Sequence, residues 1–267
     1  MKLSVNDISY HVDVQGEGEP LLLLHGFTGS SETWKSCYDE WEGYRLISLD
    51  IIGHGQTDSP EDVAFYKMEA MCEAIASILQ ELNVSKAHVL GYSMGGRLAL
   101  SFATRYPHYV QSLILESASP GLLTEEERES RRKSDNDLAQ QIESCGIESF
   151  VNKWENIPLF ASQKKLPAEI QRTIRQERLR NTERGLANSL RGMGTGEQKP
   201  LWDTLASLHL PVLLIAGADD QKFCDIANQM EKWLPKSTKK IILSAGHAIH
   251  VEQPQIFGKI VNGFIST

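Results

Sequence analysis

Gly91-Tyr92-Ser93-Met94-Gly95 has the residue types and spacing for nucleophilic or proton-transfer chemistry. It fits the pattern G-x-S-x-G, in which a serine sits on a sharp turn between a strand and a helix. Such a turn leaves no room for β-carbons beside the serine, which explains the flanking glycines. The hydroxyl then stands above the sheet, at the positive end of the helix that follows. A serine hydroxyl is a weak base and a weak nucleophile until an imidazole takes its proton. Behind an elbow of this kind the partners follow in the chain order Ser, Asp, His. His247, in Gly246-His247 after the last predicted strand, is placed to be that imidazole. The acid that orients it is expected just after the strand ending at Ala216, where Gly217-Ala218-Asp219-Asp220 offers two carboxylates. A developing oxyanion needs two main-chain N–H donors. Met94, next to the serine, and Phe27, in His25-Gly26-Phe27, are the expected pair.

The other histidines have blander readings. His25 and His54 lie in loops beside the site and shape it, and His88 lies in a strand. His11, His108 and His209 have no catalytic context. His250 follows His247 by three residues, but no carboxylate or cysteine completes a ligand set at suitable spacing. No metal site and no cofactor are expected. Gly192-Met193-Gly194-Thr195-Gly196 suggests a phosphate loop at first sight. No apolar strand leads into it, however, and no lysine occupies the Walker position, so it reads as a mobile lid connection.

The elements that must position these residues can be read from periodicity. Leu21–Leu24, Arg45–Asp50, Ala87–Leu90, Val110–Leu115, Pro211–Ala216 and Lys240–Leu243 are short apolar runs bounded by turn signals, as buried strands are. Met68–Leu82 carries apolar residues at helical spacing and ends at Asn83, and a second helix carries Leu98, Ala99, Phe102 and Ala103. Strands alternating with helices imply an α/β protein with a mostly parallel sheet covered on both faces. Between Pro120 and Leu210 that rhythm stops: the segment is charged, helical in pattern and without a buried strand. It reads as a helical cap inserted between two core strands.

Composition narrows the possibilities. The 267 residues suit one α/β core with an insertion, and the 41% hydrophobic content supports a sizeable core. No window approaches the roughly 18 uninterrupted apolar residues of a membrane helix, and the N-terminus is too polar for a secretory signal. Cys37, Cys72, Cys145 and Cys224 match no metal or redox motif, so reduced thiols in a cytoplasmic protein are expected. A formal charge of −8 argues against non-specific nucleic-acid binding. That charge is unevenly spread: nine of the twelve arginines lie between Gly121 and Pro200, giving this segment a net charge of +1 and the rest −9. Most of these arginines suit salt bridges on a helical surface; a few turned inward would grip an anionic substrate.

With Asp50-Ile51-Ile52-Gly53-His54-Gly55, the motifs resemble the α/β-hydrolase superfamily from Leu21 to Pro254, with Ile52 where a proline is usual. The resemblance implies an α/β-hydrolase core of residues 1–120 and 208–267 and a cap of residues 121–207. Its G-x-x-D spacing selects Asp220, with Asp219 as the fallback. A closer likeness runs through Gly91–Arg97, Glu116–Leu122, Trp154 with Pro158-Leu159-Phe160, Gly192–Gly196 before Leu201-Trp202, Asp220–Phe223 and Gly246–Glu252. Together these resemble the 2-succinyl-6-hydroxy-2,4-cyclohexadiene-1-carboxylate synthases of menaquinone biosynthesis. Members of that family eliminate pyruvate from an enolpyruvyl cyclohexene carboxylate bearing a succinyl side chain. The likeness implies that Ser93, with His247 and Asp220, removes the ring proton next to the succinyl ketone. Phe27 and Met94 would hold the ketone oxygen. It further implies that Arg97, Arg131 and Arg175, with Tyr92 and Trp154, bind the small polycarboxylate substrate. A guanidinium meets a carboxylate with two parallel hydrogen bonds, which lysine cannot reproduce. Arg128, Arg180 and Arg184 read as solvated, and Arg132 and Arg178 stay unassigned.

Two other classes use the same parts. A carboxylesterase or a hydrolase of carbon–carbon bonds would use the same triad, beneath a dry apolar cap without inward arginines. A non-catalytic receptor of the same fold would have no need of an intact triad. Monomer and homodimer read alike in the sequence.

Overall fold

A computed structural model describes all 267 residues. Eight strands form one sheet: β1 (Lys2–Val5), β2 (Ile8–Gln15), β3 (Glu19–Leu24), β4 (Tyr44–Leu49), β5 (Ala87–Tyr92), β6 (Val110–Glu116), β7 (Val212–Gly217) and β8 (Ser237–Ile242). Their order is β1-β2-β4-β3-β5-β6-β7-β8. From β4 to β8 every neighbouring pair is parallel, and β1–β2 and β2–β4 are antiparallel. The six strands expected from apolar runs are all present. The β1–β2 hairpin is an addition, turned at Asn6 and Asp7, both with positive φ.

Alternation along the central strands divides the core in two. Leu22 and Leu24 pack with Met71, Ile75 and Leu98 on one face. Leu21 and Leu23 face the other way, among Trp34, Trp41 and Phe257. Helices α1 (Met68–Glu81) and α2 (Met94–Arg105) supply the first layer. Burying both sides explains why these strands read as continuous apolar runs.

Between β6 and β7 the chain leaves the sheet for α3 (Glu125–Trp154), a turn of 3-10 helix at Pro158–Lys165, α4 (Ala168–Leu179) and α5 (Glu183–Met193). Thr124 and Glu127 cap the start of α3 reciprocally, through side chain and main chain. Gly146, at φ 80°, breaks the helix, and the Ile147 amide beyond the break donates to Glu183. Ile142, Phe150, Val151, Leu186 and Leu190 form a small core of their own, against which Phe27 of the main domain packs. The chain ends with α6 (Gln221–Trp233), α7 (Ile249–Glu252) and α8 (Pro254–Ile265) around β8.

The glycine stretch at 192–196 differs from the mobile connection expected of it. Gly192, Gly194 and Gly196 are buried. A β-carbon would strike Tyr66 at Gly192, Leu190 and Asp135 at Gly194, and the backbone of Arg128 and Arg132 at Gly196. These glycines serve close packing against α3 and the core.

Candidate active site

Ser93 lies between β5 and α2 with φ 50° and ψ −106°, a backbone conformation that side-chain-bearing residues rarely adopt. The surroundings hold it there. A β-carbon at Gly91 would run into Gly95 and Gly96, and one at Gly95 into the carbonyls of Leu24 and His25. The Ser93 amide donates to the carbonyl of Glu116 at the end of β6. Three parallel strands thereby fix the serine.

The loops after β7 and β8 bring in its partners. Gly217 packs against the Ala245 and Gly246 carbonyls so closely that neither loop could shift to admit a side chain. His247 Nε2 lies 3.0 Å from Ser93 Oγ, and Nδ1 lies 2.6 Å from Asp220 Oδ2. Asp220 is therefore the acid on the imidazole, and Asp219 is exposed. Phe223 stacks at a tilt, its ring centre 4.7 Å from that of His247, which is almost fully buried. With Nδ1 facing the carboxylate, the proton on that nitrogen leaves Nε2 free to accept from the serine.

The two amides expected to receive an oxyanion have no competing acceptor. Neither the Phe27 nor the Met94 amide donates to another protein group. Phe27 is held by its neighbours: His25 accepts from the Ile51 amide through Nε2, and its Nδ1 faces the Gly26 carbonyl. His54 donates to the Ile52 carbonyl and packs edge-on to Phe27. Burial lowers the pKa of His25, and it pulls His54, beside the His25 ring, down to about 3. Both stay neutral, as a hydrogen-bonded scaffold requires.

A cavity of about 360 Å³ opens over Ser93 and His247, roofed by the insertion. Phe27, Tyr92, Trp154 and Phe160 form apolar walls. Arg97, Arg131 and Lys222 are the charged side chains facing Glu127 across it. Three cations against one carboxylate leave the lining net positive, so it favours anions. Arg97 is buried and donates to Gln198 and to the Met193 carbonyl. Burial, aided by the nearby Arg131 charge, lowers its pKa to about 10, which leaves it protonated at neutral pH. Arg131 is tied by Nε to Asp135 at 2.8 Å.

Arg175 is not brought into this cavity. It lies in a surface groove, donating to Glu155 and Asn152. The inward arginine of α4 is Arg178, one of the two the sequence left unassigned. It is 6% exposed, donates to Gln163 and lies 4.7 Å over the Phe160 ring. It borders the groove that holds Arg175 and also faces a small recess that shares Phe27, Tyr92 and Phe160 with the main cavity, and no carboxylate pairs with it. Burial lowers its pKa. Helical phase carried the missing signal, since Ile174, Arg178 and Asn181 share a stripe and Arg175 falls beside it. Arg132 turns outward to Glu125 and the Gly196 carbonyl.

His250 also has a definite partner. Its backbone amide and Nδ1 both meet Glu116, which is fully buried. No cluster of three or more potential metal ligands occurs, all four thiols are free, and no helix is long and apolar enough to cross a membrane.

The elbow, the sheet order and the loops bearing Asp220 and His247 define a class. Residues 19–254 match the family model of the alpha/beta hydrolase fold. The chain is 46% identical, over 100% of its length and 98% of the relative's, to a Bacillus subtilis protein provisionally named 2-succinyl-6-hydroxy-2,4-cyclohexadiene-1-carboxylate synthase. It is 31% identical to the synthase of that name from Klebsiella pneumoniae, over 92% of this chain and 94% of that one. Among solved structures, MenH from S. aureus superposes with a TM-score of 0.91 at 37% identity, covering 96% of this chain and 97% of that one. A thermophilic esterase from Thermogutta terrifontis gives 0.88 at 27% identity, covering 100% and 97%. The chain belongs to the 2-succinyl-6-hydroxy-2,4-cyclohexadiene-1-carboxylate synthase family within the α/β hydrolases.

Proposed function

We propose that the protein is a cytoplasmic lyase of menaquinone biosynthesis. It eliminates pyruvate from 2-succinyl-5-enolpyruvyl-6-hydroxy-3-cyclohexene-1-carboxylate to give 2-succinyl-6-hydroxy-2,4-cyclohexadiene-1-carboxylate. The observation that carries this reading is the Ser93–His247 contact of 3.0 Å opening into a cavity lined by Arg97 and Arg131. His247, oriented by Asp220, draws the proton from Ser93, and the serine oxygen takes the ring proton next to the succinyl ketone. Negative charge moves to the ketone oxygen, where the Phe27 and Met94 amides receive it. Each such donor is worth about 3 kcal/mol of barrier. The electrons then pass through the ring double bond and break the bond to the enolpyruvyl oxygen. The proton held on His247 then passes to the departing enolate, which leaves as pyruvate, and the triad returns to its starting state. No covalent bond to Ser93 is required.

The substrate carries three carboxylates, which suits a cavity with Arg97 and Arg131 on its wall and Arg178 at its adjoining recess. In this reading residues 121–207 are the cap that holds Arg131 and Arg178 over the core, where Arg97 stands on α2, and Tyr92 and Trp154 flank the ring. The likeness to the Thermogutta terrifontis esterase favours a carboxylesterase as the second reading. The guanidinium groups of Arg97 and Arg178 are buried, which is costly unless an anion meets them, and a neutral ester supplies none. Offering the enolpyruvyl substrate and following pyruvate release separates the two. The lyase reading predicts turnover that Ser93→Ala and His247→Ala abolish; turnover of neutral esters with no pyruvate release would favour the esterase.

A further inference from the structure

Asp135 lies on α3, one turn after Arg131, and it is 5% exposed. Carboxylates are seldom buried so deeply without full pairing. Its Oδ1 accepts the Arg131 Nε–H at 2.8 Å, and its Oδ2 has no partner. Arg131 makes no other hydrogen bond within the protein, so its two terminal nitrogens remain open while the side chain lines the cavity. Nε lies on one edge of the planar guanidinium. An acceptor there leaves the two terminal nitrogens to form the bidentate face that carboxylates meet.

The backbone is shaped around the same carboxylate. Gly194 lines the cavity beside Thr195, and a β-carbon on it would strike Asp135 Oδ2. The Asp135 charge also acts on Arg97, whose guanidinium is pinned by Gln198 and the Met193 carbonyl on the same turn. One buried carboxylate thus serves both cavity arginines, which otherwise repel each other. Burial raises its pKa, against the pull of Arg131.

We propose that Asp135 is a positioning residue for substrate recognition. By taking the Nε–H of Arg131 it presents the open face of that guanidinium to a substrate carboxylate. This inference rests on the reading of Arg131 as a carboxylate ligand. It goes further by assigning the orientation of that ligand to a residue that does not touch the substrate.

The test measures kcat and KM for pyruvate release, with thermal melting, in Arg131→Ala, Asp135→Ala, Asp135→Asn and the double variant Arg131→Ala/Asp135→Ala. Loss of a charge-assisted hydrogen bond predicts that Arg131→Ala and Asp135→Ala each raise KM roughly tenfold to a hundredfold with kcat nearly unchanged. Asp135→Asn keeps an oxygen for Nε and should recover most of the wild-type KM. The double variant should be no worse than Arg131→Ala, because the two residues act as one unit. If Arg131→Ala keeps the wild-type KM, the recognition reading beneath the proposal fails. If Arg131→Ala is impaired and Asp135→Ala is not, the positioning role alone fails. Parallel losses of kcat and melting temperature in both Asp135 variants would mark a purely structural residue and overturn the proposal.

Discussion

Replacing Arg178 should separate activity from stability, and comparison with Arg175 makes the test sharp. The two arginines are three residues apart on α4, yet one is 6% exposed without a carboxylate partner and the other sits in a surface groove against Glu155. Arg178→Ala would leave a substrate carboxylate desolvated and unpaired, a loss of about 2–5 kcal/mol. That corresponds to roughly 30-fold to several thousand-fold in kcat/KM. The same change removes a cation–π contact worth about 1 kcal/mol and a hydrogen bond to Gln163. It also relieves the burial of an uncompensated charge, so melting should shift little. Arg175→Ala removes a partly exposed ion pair worth at most about 1 kcal/mol and should leave kcat/KM near wild type. Arg178→Lys should recover only part of the loss, since an ammonium lacks the planar fork. The assay is pyruvate release over a substrate series, beside thermal melting. A large activity loss in Arg175→Ala with none in Arg178→Ala would refute the assignment.

Other expectations follow from the same geometry. Asp220→Asn should lower kcat on the order of 10³–10⁴-fold by removing the carboxylate that orients the imidazole, while Asp219→Asn should change it little; steady-state kinetics decides. Gly95→Ala, where a methyl meets two carbonyl oxygens, should destabilise the fold by at least about 2 kcal/mol in denaturant unfolding. Gly263→Ala, with open space around it on the exposed face of helix α8, should stabilise it by about 0.5–1 kcal/mol. His54 is held neutral with its pKa lowered to about 3, so its contribution to stability is complete above the unfolded-state value near 6.5 and is lost as pH falls toward 3. Denaturant midpoints measured downward from pH 7 should fall below about pH 6.5; a flat profile to pH 5 would contradict the neutral burial of this ring.

The parts of this molecule that local chemistry dictates were open to reading from the sequence. The elbow needs Gly91 and Gly95 because α2 and the Leu24 and His25 carbonyls crowd them, and such crowding leaves a recognisable pattern. The central strands are legible because both their faces are buried. The β1–β2 hairpin was not, since β1 has only four residues and β2 alternates buried with half-buried positions instead of showing the continuous apolar run of the central strands. Asp219 and Asp220 could be separated only by family spacing; the geometry adds that Asp220 meets the ring. Side-chain direction in the insertion was the weakest point. Arg175 and Arg178 differ by less than one helical turn, and only the packing of α4 on Phe160 and Tyr92 decides which faces inward. The glycines at 192–196 misled for a related reason: glycine permits mobility and close approach alike, and tertiary contacts settle which is used.

The most direct test of the central claim is single-turnover pyruvate release from substrate deuterated at the ring carbon beside the succinyl ketone, with intact-mass measurement of the quenched enzyme. A serine that acts as a base predicts a normal primary isotope effect on release and an unmodified Ser93. Release without an isotope effect, accompanied by a covalent adduct on Ser93, would contradict it.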